Sequence, residues 1–117
     1  MSTYFGFAIS DSMFNGNVVV KRNTLTFEEA KALIEEEGVI PCLNPSHKAT
    51  IDAMVARGIS IDIPDTPPRV SLGIGDSMIV MGVRGLPRLT DRHEYTEDEV
   101  ADATFTFSVW KITCGTC

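Results

Sequence analysis

The sequence predicts a single small α/β (α+β) domain, with a mixed β-sheet of about five to six strands flanked by two or three helices. Three observations carry this. A chain of 117 residues, 44% of them hydrophobic, is long enough to bury one core without staples. Its apolar residues fall into short runs bounded by turn residues, notably Tyr4 to Ile9, Ser77 to Val83 and the alternating Thr104 to Ile112. Two stretches, Thr26 to Glu29 and Thr96 to Glu99, place a threonine three residues before a glutamate, the capping box that starts a helix. No internal repeat, low-complexity run or linker interrupts the chain, so residues 1–113 read as one domain and 114–117 as a flexible tail.

The elements follow in order. Tyr4 to Ile9 carries no charge, which suits a central strand buried on both faces. Ser10 to Asn17 is a loop by its small polar residues and Asn-Gly, yet it holds Met13 and Phe14, which need somewhere to pack. Val18 to Lys21 reads as a second strand. The helix begun at Thr26 presents Phe27, Ala30, Leu33 and Ile34 on one face and closes at Gly38. Val39 to Leu43 is a short apolar strand that Pro41 assigns to an edge or an irregular position. A second helix then starts near Asn44-Pro45-Ser46, keeps His47, Ile51, Met54 and Val55 on one side, and ends at Gly58. Ile59 to Ile63 alternates as a half-exposed strand stopped by Pro64. Val70, Leu72 and Ile74 alternate before the Gly75-Asp76 turn, so they are expected to form a hairpin with Ser77 to Val83. After a charged loop, Arg84 to Glu94, a short helix runs from Thr96 to about Ala103 and a last strand follows.

Composition narrows the function classes. A formal charge of −6 and a pI near 4.7 argue against a general duplex-DNA or membrane-surface binder, because either needs a basic face; a local basic pocket stays open. No window reaches the length of a membrane span, and MSTYFGFAIS lacks a signal-peptide pattern, so a cytoplasmic location is expected. Cys42 sits in an apolar run, while Cys114 and Cys117 form a terminal pair with no second pair upstream to complete a metal site. No metal or cofactor is expected.

The junction Leu43 to Met54 is the expected functional centre. A strand ends there and a helix begins with a histidine in its first turn. Backbone N–H groups at a helix start lack partners and, with the helix dipole, favour an anion such as phosphate. His47 and Lys48 stand beside that place in the sequence. The competing reading is structural: Asn44 or Ser46 caps the helix and His47 packs against its neighbours.

In its order of motifs the chain resembles a viral and mobile-element family that includes the type III anti-CRISPR ring nucleases. The matching pieces are Tyr4 to Phe14, the glutamate-rich helix, Ser46-His47-Lys48-Ala49-Thr50, Pro68-Arg69-Val70, Gly75-Asp76, Arg84-Gly85-Leu86-Pro87 and Thr96-Glu97-Asp98-Glu99-Val100. The resemblance implies a homodimer that holds a cyclic oligoadenylate-like immune messenger across its interface, in the cytoplasm of an infected host. It also implies metal-independent cleavage, in which a ribose 2′-OH attacks the adjacent phosphate and His47 protonates the departing 5′ oxygen. Ser10, Ser12, Asn44, Ser46, Lys48, Arg69, Arg84 and Arg88 are the ligand-binding residues on this reading; each arginine offers phosphate a planar fork of donors. Two positions depart from the family pattern. The glutamate expected in the loop after Arg84 is absent, with Glu94 as a distant substitute, and Phe7 replaces a polar first-strand asparagine.

Three functions therefore stay open: a ring nuclease, a non-catalytic sponge for the same messenger, and a protein-binding module. Other residues read plainly. His93 is a solvated loop residue, Trp110 is core or dimer interface rather than a base-stacking platform, and Asp62 and Asp65 lack a partner carboxylate.

Overall fold

In the computed structural model the described residues are 2–14, 16–43, 48–64, 66, 68–85 and 95–114. Five strands and three helices follow one another as β1 (Thr3–Gly6), β2 (Val18–Leu25), α1 (Phe27–Glu37), β3 (Ile40–Pro41), α2 (Lys48–Ala56), β4 (Ser77–Arg84), α3 (Glu97–Asp102) and β5 (Thr104–Cys114). They make one mixed sheet in the order β2-β5-β4-β1-β3. β5 is its spine, antiparallel to β2 on one side and to β4 on the other. β1 lies parallel to both β4 and β3, which gives it the interior place its uncharged sequence predicts. β3 takes the edge, where the missing N–H of Pro41 costs no ladder bond.

Successive side chains on a strand point to opposite faces. One face carries Phe5, Ile79, Met81, Phe107 and Val109, which pack with Ala30 and Ile34 of α1 and Ile51 and Met54 of α2 into the main core. The other carries Met78 and Ile112 in a smaller cluster with Leu72. Met13 and Phe14 pack there, which answers why a polar loop holds two large apolar residues. The loop is fastened by Leu72 N–H donating to Met13 O at 2.6 Å and by a parallel bridge between Phe14 and Leu72.

Both capping boxes form. Thr26 Oγ1 accepts from Glu29 N at 3.1 Å while Thr26 N donates to Glu29 Oε1 at 2.9 Å, and Thr96 and Glu99 repeat the exchange at 3.2 and 2.8 Å. Gly38 closes α1 with φ 70°, its N–H donating to Ile34 O at 3.1 Å. Thr26→Ala is expected to lower stability by about 1 kcal/mol, the usual cost of an N-cap, seen as a lower urea midpoint at unchanged slope.

Several expectations need correction. Residues 59–63 form no strand: Ile59 is buried and Ile61 and Ile63 pack at the margin of the main core, so their alternation reports one-sided burial without ladder bonds. Residues 70–74 form no hairpin with β4, because β1 and β5 already occupy both flanks of β4. The Gly75-Asp76 turn exists nonetheless. Gly75 has φ 93°, Asp76 N donates to Gly73 O at 3.0 Å, and the Asp76 carboxylate accepts from Gly73 N and Ser2 N at 2.9 Å each. β1 stops at Gly6 instead of Ile9. β2 continues past Lys21 to Leu25, since its register with β5 runs on through Arg22 opposite Trp110 to Leu25 opposite Phe107. On α2, Ala53 is buried beside Ile51 and Met54 whereas Val55 is 41% exposed. β5 extends to Cys114, paired with Val18; residues 115–117 lie outside the described residues.

Candidate functional site

Because β1, β3 and β4 are parallel, the chain leaves all three at the same edge of the sheet, where loops of open α/β sheets commonly gather ligands. Past β1 a short 3₁₀ turn, Asp11–Met13, is closed by Met13 N–H donating to Ser10 O at 3.1 Å, and the Ser10 and Ser12 hydroxyl oxygens stand 3.2 Å apart. Past β3, Cys42 N donates to Phe5 O at 2.7 Å and Leu43 is fully buried, so the chain is anchored up to Leu43. Pro68, Arg69 and Val70 lie beside these two segments. Together Ser12, Met13, Cys42, Pro68, Arg69 and Val70 line a hollow of about 310 Å³.

The hollow thus sets a hydroxyl and an exposed guanidinium on apolar walls, an arrangement suited to an anionic group. The thiol of Cys42 is a wall, not a reactive group. Burial pushes its pKa up, offset in part by a backbone hydrogen bond with Phe5. It therefore stays protonated at neutral pH, and iodoacetamide is expected to label Cys42 more slowly than a free-cysteine peptide at pH 8; peptide mapping of the labelled chain reads this directly.

Of the expected site residues, Ser10, Ser12 and Arg69 come together at this edge. Lys48 does not join them: it opens α2, with Nζ 2.6 Å from Asp52 Oδ2, and faces a separate groove toward Ile61 and Asp62. Arg84 lies at the end of β4 on the open face of the sheet, in a cavity shared with Arg22 and Trp110. Asn44, Ser46, His47 and Arg88 lie outside the described residues, as do His93 and Glu94. The sequence marked Met13 as needing a place to pack, Cys42 as part of an apolar strand and Pro68-Arg69-Val70 as a motif, but nothing in it brought them to one hollow; Arg22 carried no signal because its strand was expected to end one residue earlier.

A further cavity of about 450 Å³ lies between α2 and α3, lined by alanines with Tyr95, Val100 and Arg57. It is a structural seam. Arg57 Nη1 donates to Val100 O and Ala103 O at 3.1 Å each, holding the end of α3, and the guanidinium lies 5.7 Å from the Phe105 ring centre. Among the described residues no helix is long and apolar enough to cross a membrane.

No family model matches the chain, and no curated protein matches it in sequence. Among solved structures, B116 of Sulfolobus turreted icosahedral virus is similar with a TM-score of 0.68 at 16% identity, over 95% of this chain and 99% of that one. The chain therefore has a B116-like fold, shared with a viral protein.

Proposed function

We propose that this protein is an anti-defence factor that binds a cyclic oligonucleotide immune messenger of the cyclic oligoadenylate type and opens it without a metal. The observation that supports this most is the hollow holding Ser12 and Arg69, at the sheet edge where the chain runs from buried Leu43 toward His47 and α2. The B116-like fold agrees with the family resemblance of the sequence. In this reading Arg69 holds a phosphate by paired N–H donors, and Ser10 and Ser12 donate hydroxyl hydrogen bonds. The ribose 2′ oxygen forms a bond to phosphorus as the bond to the 5′ oxygen breaks. Its proton passes to solvent, and His47 supplies the proton that the 5′ oxygen takes up. Orientation and charge stabilisation contribute most of the rate. The protein acts as a homodimer in the host-cell cytoplasm, with the messenger at the interface.

A sponge that holds the messenger intact is the second reading. It is favoured by the stretch Arg84-Gly85-Leu86-Pro87-Arg88, which lacks the family's glutamate, and by the position of Arg84 in a cavity separate from the hollow of Ser12 and Arg69. Incubation with cyclic oligoadenylates and cyclic dinucleotides, followed by heat denaturation and chromatography, separates the two. Linear products establish the nuclease, intact recovery of bound ligand establishes the sponge, and neither binding nor turnover overturns both.

A further inference from the structure

The two margins of the sheet are built differently. β3 is two residues long and carries Pro41, so it offers a neighbour almost no ladder. β2 is eight residues long and keeps unbroken register with β5, from Val18 opposite Cys114 to Leu25 opposite Phe107. Every second residue of an outer strand turns its N–H and C=O away from the sheet, so β2 presents a regular row of main-chain donors and acceptors. In the strand order it is also the margin away from β1 and β3, whose ends carry the messenger hollow.

The charge along this margin opposes that of the chain. The protein carries 16 acidic and 10 basic residues, yet β2 and β5 hold Lys21, Arg22 and Lys111 and no acidic residue. Arg22 lies over Trp110 on the helix-free face, 5.7 Å from the ring centre. Lys21 and Lys111 stand directly opposite each other on the helix side, both exposed, with Cβ atoms about 5 Å apart by ladder geometry. Among the described residues neither ammonium has an ion-pair partner. Two carboxylates line a hollow of about 260 Å³ with Lys111, but Glu29 is held in its capping box by Thr26 and Glu37 accepts from Thr3 Oγ1 at 3.1 Å. A single lysine is enough to guard a strand edge. Two like charges set opposite each other cost stability, and an anionic group from outside the fold offsets that cost.

We propose that the free edge of β2 takes an extended acidic segment of a partner protein as a sixth strand, with a carboxylate seated between Lys21 and Lys111. The occupant is a polypeptide because a row of alternating N–H and C=O groups matches another backbone. Two positions from its acidic residue it carries an apolar one, which covers Val19, on the same face as Lys21 and 49% exposed. A second copy of this chain is the wrong occupant. Full-length antiparallel pairing of two β2 strands sets Lys21 and Arg22 of one copy against the same two residues of the other. The partner segment uses the edge and the helix side, so the helix-free face stays available to the homodimer. This site does not rest on the messenger reading.

The probe is a blocked, fluorescein-labelled heptapeptide, Thr-Val-Thr-Glu-Thr-Val-Thr, which fits β2 in either direction. Anisotropy titration with the full chain is expected to show saturable binding that weakens as salt rises. Lysine in place of the peptide's glutamate is expected to abolish it. Lys21→Glu, a change at an exposed position, should weaken binding roughly fivefold, with circular dichroism, messenger binding and turnover unchanged. N-methylation of alternate peptide amides tests the ladder itself. Methyl groups in one phase face β2 and should weaken binding more than about tenfold, whereas those in the other phase point outward and leave it unchanged. The proposal is overturned by absence of saturable binding at low salt, by equal affinity of the two methylated phases, or by an affinity that Lys21→Glu does not move. It is also overturned if an oligouridylate competes as well as the unlabelled peptide, because any polyanion then suffices. A dimer in sedimentation whose outward β2 amides resist hydrogen exchange without peptide overturns it too, because a second copy then occupies the edge.

Discussion

Phe5→Ala is expected to destabilise the fold by about 3–5 kcal/mol, the range for truncating a buried aromatic where the neighbours cannot collapse into the space. Phe5 is fully buried on an interior strand, opposite Ile79 of β4 and Pro41 of β3, with its ring edge-on to Phe7 at 6.5 Å between centres. It packs in the cluster that includes Ile51 and Met54 of α2, so the cavity would open beneath the helix that follows the proposed site. A domain of this size has a total stability of roughly 5–15 kcal/mol, so the variant should be partly unfolded near its normal working temperature. Urea unfolding by circular dichroism reads the effect as a lower midpoint at unchanged slope. A loss below about 1 kcal/mol would show that this end of the sheet repacks and is not a fixed core.

His47→Ala carries the largest expected effect on activity. On the proposed function, removing the general acid lowers messenger cleavage by about two to four orders of magnitude while most of the binding remains. Arg69→Gln should show the opposite pattern, weaker binding with a smaller effect on the rate once ligand saturates, because its guanidinium holds the phosphate in ground and transition states alike. Single-turnover cleavage and equilibrium dialysis on the same preparations separate the two quantities. Undiminished cleavage in purified His47→Ala ends the assignment of His47 as the acid. Undiminished binding in Arg69→Gln moves the phosphate site away from the hollow.

Local chemistry carried much of the fold into the sequence. Thr26, Glu29, Thr96 and Glu99 specify helix starts within four residues, and the structure forms both boxes. Gly38 and Gly58 take positive φ just past the helices they were expected to close. Where the reading failed, the deciding factor lay far away in the chain. Ile59-Ser60-Ile61-Asp62-Ile63 has the period of a strand, but a strand also needs ladder bonds to a neighbour, and the structure pairs this segment with none, so its alternation records one-sided burial. Arg22-Asn23-Thr24 lacks strong strand preference, yet β5 extends it because each of its residues meets a partner there.

The site divides in the same way. Residue type alone determined that Arg69, Arg84 and the serines of the first loop offer donors to an anion, because a guanidinium or hydroxyl carries that chemistry in any fold. Only the tertiary structure decided that Ser12 and Arg69 share one hollow while Arg84 joins Arg22 and Trp110 on the open face. For the two arginines on strands the physical reason is parity: a side chain's face follows from the register of its strand, and β5 sets that register against β4 and, across more than eighty residues, against β2. Ser12 and Arg69 lie in loops, and they meet because the first loop is fastened to the segment before β4 by Leu72 N–H donating to Met13 O. No local pattern encodes either pairing.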